Sequence, residues 1–245
     1  MHITSKFLKF ESLFKRLSKR LYDRERIINN RDYKNLCRYL SNNLQKTSNC
    51  IDVGCNQGKI LSQFLKFAPN GTHFAIEPLP DFAKMIKAEY PSVKTYQVAA
   101  SDTDGESDFF HITNRPSYSG FKFRDDDLLR RNIENIKVRT VKLDTLIPQN
   151  IRIDFIKIDV EGAEFKVLNG ARSIIKKWHP TIAFEHIIYT SRTLYNIRAE
   201  TIFELLTEDF DYYIFHMDGS VPLTKNEFIN FVESVLGWNF IARPH

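Results

Sequence analysis

The run Cys50-Ile51-Asp52-Val53-Gly54-Cys55-Asn56-Gln57-Gly58 decides how the rest of the chain is read. A short apolar stretch leads into an acid and then into a turn bracketed by two glycines. Helical periodicity follows at once: Ile60, Leu61, Phe64 and Leu65 share one face, between Lys59 and Lys66. Strand, tight glycine turn and helix, in that order, open a doubly wound α/β sheet. Gly54 and Gly58 are expected to let the backbone turn sharply and come close to a ligand with no Cβ in the way. The N-terminus of the helix offers unpaired N–H groups to a negative group.

The ligand class follows partly from what the turn lacks. A dinucleotide fingerprint reads G-x-G-x-x-G, and position 56 is Asn. Asp52, an acid inside the motif, suits a ligand with a cationic amine, such as the methionyl part of S-adenosylmethionine. Glu77 closes the next expected strand, residues 72–76, and stands 25 positions after Asp52. A doubly wound fold places there the carboxylate that binds ribose hydroxyls. The bland alternative is a plain βαβ turn with two solvated acids.

Charge is unevenly placed. The chain of 245 residues carries a net +5, but residues 1–31 hold nine Lys/Arg against three Asp/Glu, a net +6. The remaining 214 residues therefore sum to −1. The pI of about 9.0 thus comes from the N-terminal arm and does not mark the body as a nucleic-acid binder. Three cysteines, Cys37, Cys50 and Cys55, show no zinc spacing and read as reduced thiols of a cytoplasmic protein. No apolar run reaches the ~18 residues of a membrane span, and the N-terminus lacks a secretory h-region.

Taken in order, residues 3–21 read as an amphipathic helix. Phe7, Phe10, Leu13, Phe14, Leu17 and Leu21 form one face and lysines and arginines fill most of the rest. That composition suits a membrane surface, and equally a helix docked on its own domain or in a homodimer seam. A second helix is expected over residues 32–45. Residues 1–46 then form a basic helical extension and 47–245 the main domain. In that domain, strands are expected at 49–53, 72–76, 94–99, 109–112, 138–141, 153–159, 181–184, 212–215 and 239–242. Helices are expected at 57–67, 81–90, from Glu164 to about Ile175, at 197–208 and at 225–236. The span 108–141 breaks the pattern with a polar loop, residues 114–120, and a charged run, 124–131. An insert there usually shapes a substrate pocket.

These residues resemble the FkbM family of S-adenosylmethionine-dependent methyltransferases. The resemblance rests on Asp52-Val53-Gly54 with Asn56 and Gly58, on Ile76-Glu77-Pro78, and on Lys157-Ile158-Asp159-Val160-Glu161-Gly162-Ala163-Glu164. Val167-Leu168, Gly170-Ala171, Pro180 with Glu185, and 239–244 extend it over roughly residues 48–244. It implies the methyltransferase variant of the Rossmann sheet: seven strands, the last antiparallel, with helices on both faces. It also implies O-methylation of a sugar in a glycan or of a natural-product hydroxyl, with S-adenosylmethionine as methyl donor. The N-terminal arm lies outside the resemblance and inherits nothing from it.

The expected cofactor residues are Asp52, Gly54, Asn56, Gly58, Glu77, Pro78, Ser101, Asp102 and Asp159. Ser101 and Asp102 are included because they follow the 94–99 strand on the same sheet edge. A hydroxyl needs a general base, and Asp159, Glu161, Glu185 and His186 cluster at two successive strand ends where the base must lie. Glu161 and Glu164 also have a plain reading, as acids at a helix start, and His186 as a surface residue. Asp159 and Glu185 could instead hold Mg²⁺ or Mn²⁺. A base without metal is preferred because no third ligand can be named. Two rivals stand beside the sugar reading. An RNA ribose methyltransferase is unsupported, since the charge sits on a terminal arm. A non-catalytic binding module is disfavoured by intact Asp52, Glu77 and Asp159.

Overall fold

The computed structural model describes residues 2–123, 132–234 and 236–245, the first 22 by backbone alone. The charged run 124–131 and the side chains of the amphipathic face at 3–21 lie outside what is described.

Seven strands form the main sheet: β1 (Cys50–Val53), β2 (His73–Ile76), β3 (Lys94–Tyr96), β7 (Phe155–Ile158), β8 (Thr181–Glu185), β9 (Tyr212–His216) and β10 (Asn239–Pro244). Their order is β3-β2-β1-β7-β8-β10-β9. Strands β1, β2, β3, β7 and β8 are parallel, and β10 runs antiparallel to both its neighbours. A second sheet of three strands joins β4 (Ala99–Ala100), β5 (Gly105–Ile112) and β6 (Ile133–Val141), in the order β4-β6-β5. The expected insert is thus a long antiparallel hairpin, β5 with β6, rather than two isolated strands.

The helices are α1 (His2–Asn43), α2 (Leu61–Phe67), α3 (Pro80–Glu89), α4 (Leu143–Leu146), α5 (Glu164–Asn169), α6 (Arg172–Trp178), α7 (Ile188–Tyr195), α8 (Ala199–Glu204) and α9 (Lys225–Glu233).

Side-chain alternation splits the main sheet into two faces. Ile51, Val53, Ile156, Ile158, Ile182 and Phe184 belong to the larger core cluster, which also holds residues of α5, α6, α8 and α9. Cys50, Ala75, Phe155, Ala183 and Ile241 belong to the other cluster, with Leu36, Tyr39 and Leu40 of α1 and Leu61, Phe64 and Ile86 of α2 and α3. By the same alternation Asp52, Glu77, Lys157, Asp159 and Glu185 fall on the α1 side, at the strands' carboxyl ends. That placement explains the site.

Several sequence expectations need correction. Residues 2–43 are one continuous helix, not a helix at 3–21 and another at 32–45. Its second half is not a detachable extension, because Ile28, Leu36, Tyr39 and Leu40 are buried in the domain. The expected strand 94–99 divides: Lys94–Tyr96 pairs with β2, whereas Ala99–Ala100 leaves for the second sheet and pairs with β6. Helix α2 begins at Leu61 rather than at Gln57, since residues 57–60 are used by the turn. The expected helix after Glu164 is broken into α5 and α6 at Gly170. A Cβ on Gly170 would stand 2.0 Å from the Ser101 carbonyl oxygen, so the chain needs glycine where that loop crosses. The α8 helix ends in a π-helical turn over Leu205–Asp209, and α7 was not expected at all. Among the described residues no helix is long and apolar enough to cross a membrane.

Candidate active site

A cavity of about 880 Å³ opens at the carboxyl ends of β1, β2, β7 and β8. Open α/β sheets bind their ligands there, in the crevice outside the carboxyl ends of the strands. Of the expected cofactor residues, Asp52, Gly54, Asn56, Glu77, Pro78 and Asp159 line it, and Glu161 and Glu185 line it beside them.

The glycine turn is built as expected but for a different reason. Gly54 and Gly58 have φ of +72° and +75°, where an L side chain is strained. Yet a Cβ on Gly54 would fall 1.9 Å from the Asp159 carbonyl oxygen, and one on Gly58 would fall 2.7 Å from Ile86 Cδ1. The close approach is to the protein's own chain. Gly58 holds α3 against the turn and does not line the cavity.

Glu77 organises the turn from across the sheet. Its Oε2 accepts from Asn56 N (2.8 Å) and its Oε1 from Leu79 N (3.0 Å). Burial raises its pKa to about 7 against the lowering effect of those two N–H groups. Each oxygen keeps a lone pair for a ligand hydroxyl. Asp52 is buried and neither of its oxygens has a hydrogen-bond partner. Burial raises its pKa to about 6, with Lys157 pulling the other way. An orphaned buried carboxylate in a cavity wall is costly unless a cationic partner arrives.

Lys157 is the residue that sequence reasoning quoted but gave no task. It pairs in register with Asp52 on the adjacent strand. Its Nζ donates to Asp159 Oδ2 at 2.6 Å. Burial works against its charge, but Asp159, Asp52 and Glu185 outweigh that and its pKa is raised. The signal was present: Lys157 and Asp159 alternate in an otherwise apolar strand, so both face the same side.

Glu185 is buried and its Oε2 lacks a partner. Burial, then the charges of Asp159, Glu161 and Glu164, push its pKa well above the carboxylate range, with Lys157 opposing. Glu161 sits at φ +54°, an uncommon conformation for a non-glycine residue. Asp159, Glu161 and Glu185 each bring one oxygen within 4.8 Å of the others.

Four expected site residues, Gly58 among them, lie outside the cavity. Ser101 is buried, with its N–H on the Val141 carbonyl, and its hydroxyl donates to Asp102. Asp102 turns toward Lys166 of α5, 3.8 Å away. The cavity reaches Ala99 and Ala100 but neither of these two, because β4 has turned into the second sheet. His186 is a core residue and not a surface one. Its Nδ1 meets Ser191 Oγ at 3.2 Å, its ring stacks on Phe228, and burial lowers its pKa to about 4.

The fourth wall comes from α1. Glu25, Arg26, Asn29, Asn30 and Tyr33 line the cavity opposite the strand ends. Glu25 Oε1 accepts from Tyr118 Oη (3.0 Å), Asn29 Oδ1 from Trp238 Nε1 (3.1 Å), and Asp32 Oδ2 from Asn239 Nδ2 (3.3 Å). Asn239 is the register partner of Glu185, so these bonds hold α1 over the acid cluster. Sequence spacing carried no sign of this, since polar residues on an outward helix face look the same whether they meet solvent or a ligand.

The methyltransferase FkbM domain matches residues 52–213, more than half of the chain. The chain belongs to the FkbM methyltransferase family. It is 28% identical over 165 residues to the 2-O-methyltransferase NoeI of Sinorhizobium fredii, across 59% of this chain and 64% of that protein. The chain therefore matches somewhat less than two thirds of that relative. Among solved structures it is similar to the methyltransferase FkbM of Methylobacillus flagellatus, at a TM-score of 0.50 and 15% identity, over 82% of this chain and 44% of the other. A TehB-like S-adenosylmethionine-dependent methyltransferase of Corynebacterium glutamicum aligns at 0.45 and 10% identity, over 85% of each chain. The likeness to the Methylobacillus flagellatus structure speaks to the fold alone.

Proposed function

We propose that the protein is an S-adenosylmethionine-dependent O-methyltransferase whose acceptor is a sugar hydroxyl. The observation that carries this reading is the charge arrangement at the ends of β7 and β8. Asp159 faces the cavity, held by Lys157, with Glu185 beside it. The family and the 2-O-methyltransferase relative support oxygen as the methylated atom.

The residues present fit the methyl donor. Asp52 offers a buried, unpartnered carboxylate to its cationic amine, and Glu77 offers lone pairs to its ribose hydroxyls. When bound, S-adenosylmethionine supplies an electrophilic methyl group on a sulfonium. An acceptor oxygen held beside Asp159 would be placed to receive that methyl group. Asp159 takes the hydroxyl proton. Most of the acceleration is positioning, which the cavity walls provide. Lys157 orients Asp159 through the 2.6 Å bond and limits repulsion among the acids.

The triad of Asp159, Glu161 and Glu185 also fits a hard divalent cation, and the third ligand that the sequence did not supply is Glu161. The metal-free reading is preferred because Lys157 already brings a positive charge to Asp159. A metal-dependent enzyme would lose activity in chelator and recover it with Mg²⁺ or Mn²⁺.

Two experiments test the proposal. Glu77→Ala should weaken S-adenosylmethionine binding by roughly ten- to a hundredfold, the effect of losing charged hydrogen bonds of ~1.5–3 kcal/mol. Calorimetry showing equal affinity in the variant would overturn the cofactor assignment. Transfer of labelled methyl to a panel of glycans should find a sugar acceptor. Transfer confined to RNA, with the steep salt dependence of phosphate contacts, would replace the sugar reading with the nucleic-acid one.

A further inference from the structure

We propose that α1, through Glu25–Tyr33, together with residues 115–118 of the insert, is the acceptor-recognition wall, and that it takes a neutral pyranose ring. The inference rests on the methyltransferase reading and deepens it.

The cavity divides by chemistry. Asp52, Glu77 and Leu79 form the end suited to the methyl donor. Asp159, Glu161 and Glu185 lie between that end and the α1 side. An acceptor must reach Asp159, so it occupies the space that α1 and the insert enclose. Two bonds tie the insert down over this space. Tyr118 Oη donates to Glu25, and Asn56 Nδ2 donates to Ser117 Oγ at 3.2 Å. Burial first, and then the charges of Glu25 and Glu161, push the Tyr118 hydroxyl up to about 12. Tyr118 therefore ties the insert to α1 and lines the same cavity as Glu161.

The lining indicates what fits. The amides of Asn29 and Asn30 donate to and accept from hydroxyls, and the Glu25 carboxylate accepts from them, which suits the hydroxyls a sugar presents on every side. Tyr118 and Trp238 bring aromatic rings into the lining, where apolar C–H groups of a sugar can pack, while Lys59 Nζ lies over the Tyr33 ring at 3.8 Å. Carboxylates and cations line this side in near balance, Glu25, Asp32, Asp159, Glu161 and Glu185 beside Arg26, Lys59, Arg115 and Lys157, so the wall carries no charge excess for an ionic acceptor to pair with.

The test uses the full chain with S-adenosylhomocysteine bound and a panel of methyl glycosides: neutral hexoses, deoxyhexoses, N-acetylhexosamines and a uronic acid. Binding is read by saturation-transfer NMR and methylation by label transfer. A neutral glycoside should bind and be methylated. Glu25→Ala and Tyr118→Phe should each raise its KM by at least about tenfold, the effect of one lost charge-assisted hydrogen bond. Their affinity for S-adenosylhomocysteine should stay within about twofold of wild type, which also reports that they fold. Wild-type KM in both variants would overturn the wall while leaving the sugar reading in place. Preference for the uronic acid would overturn the neutral acceptor. Failure of the wild type to bind or methylate any glycoside would overturn both this inference and the sugar reading beneath it.

Discussion

Replacing Asp159 with Asn should lower the rate of methyl transfer by ~10²–10⁴-fold, the usual contribution of general-base catalysis, with little change in cofactor affinity. Asn keeps the shape of the side chain but cannot take the proton. Its amide also places an NH₂ or a neutral oxygen opposite Lys157 Nζ, so the 2.6 Å charged bond is weakened as well. Burial and the charges of Glu161 and Glu164 still raise the pKa of Glu185 in this variant, so Glu185 is a poor replacement for the lost base. The measurement is single-turnover transfer to a true acceptor, with and without chelator. A rate equal to wild type in chelator would dispose of Asp159 both as base and as metal ligand. A wild-type enzyme that is inert in chelator and restored by Mg²⁺ or Mn²⁺ would move Asp159 from base to ligand, with Glu161 and Glu185 beside it.

Part of this site was legible because strand chemistry obeys a short period. Asp52, Glu77, Asp159 and Glu185 each end an apolar run, and in a parallel sheet all such ends point the same way. The seven-stranded sheet with its antiparallel last strand followed from the family resemblance once those runs were found. What escaped was whatever depended on contacts far apart in sequence. The chain between Tyr96 and Ala99 continues an apolar pattern, yet it changes sheet there, and Ser101 and Asp102 are carried away from the cavity with it. His186 follows a carboxylate and looked catalytic. It lies on the opposite side of the strand end from Glu185, so it meets Phe228 and Ser191 instead. The α1 helix was misread for a related reason. Its charge pattern marks a polar face but not what that face meets. Only the burial of Leu36 and Leu40 on the Asp52 side of the sheet brings Glu25 and Asn29 over the acids.

Lys157 carries the second large expectation. In Lys157→Met, three carboxylates lose the buried cation they share. Removing one partner of a buried pair typically costs 3–5 kcal/mol, and since Asp159 is about a third exposed to the cavity, ~2–3 kcal/mol is expected here. The loss should depend on pH in a definite direction. Lys157 lowers the pKa values of Asp52 and Glu185, which burial has already raised. Without it both rise further. An acid whose pKa is raised by folding keeps its proton in the folded state after the unfolded chain has released it. Stability then falls as pH climbs from the unfolded value, ~4, through the folded one. The gap in melting temperature between Lys157→Met and wild type should therefore be small near pH 5 and widest near pH 8. Turnover should move the opposite way. Asp52 and Glu185 keep their protons further up the pH scale than in wild type, so the cationic amine of the donor is held less well, the rate is low, and it should climb with pH as Asp52 ionises. A merely structural lysine would give a stability loss with no displacement of the pH–rate profile. Melting curves that coincide with wild type at pH 8, or a profile unmoved along the pH axis, would show that Lys157 does not govern the charge of this site.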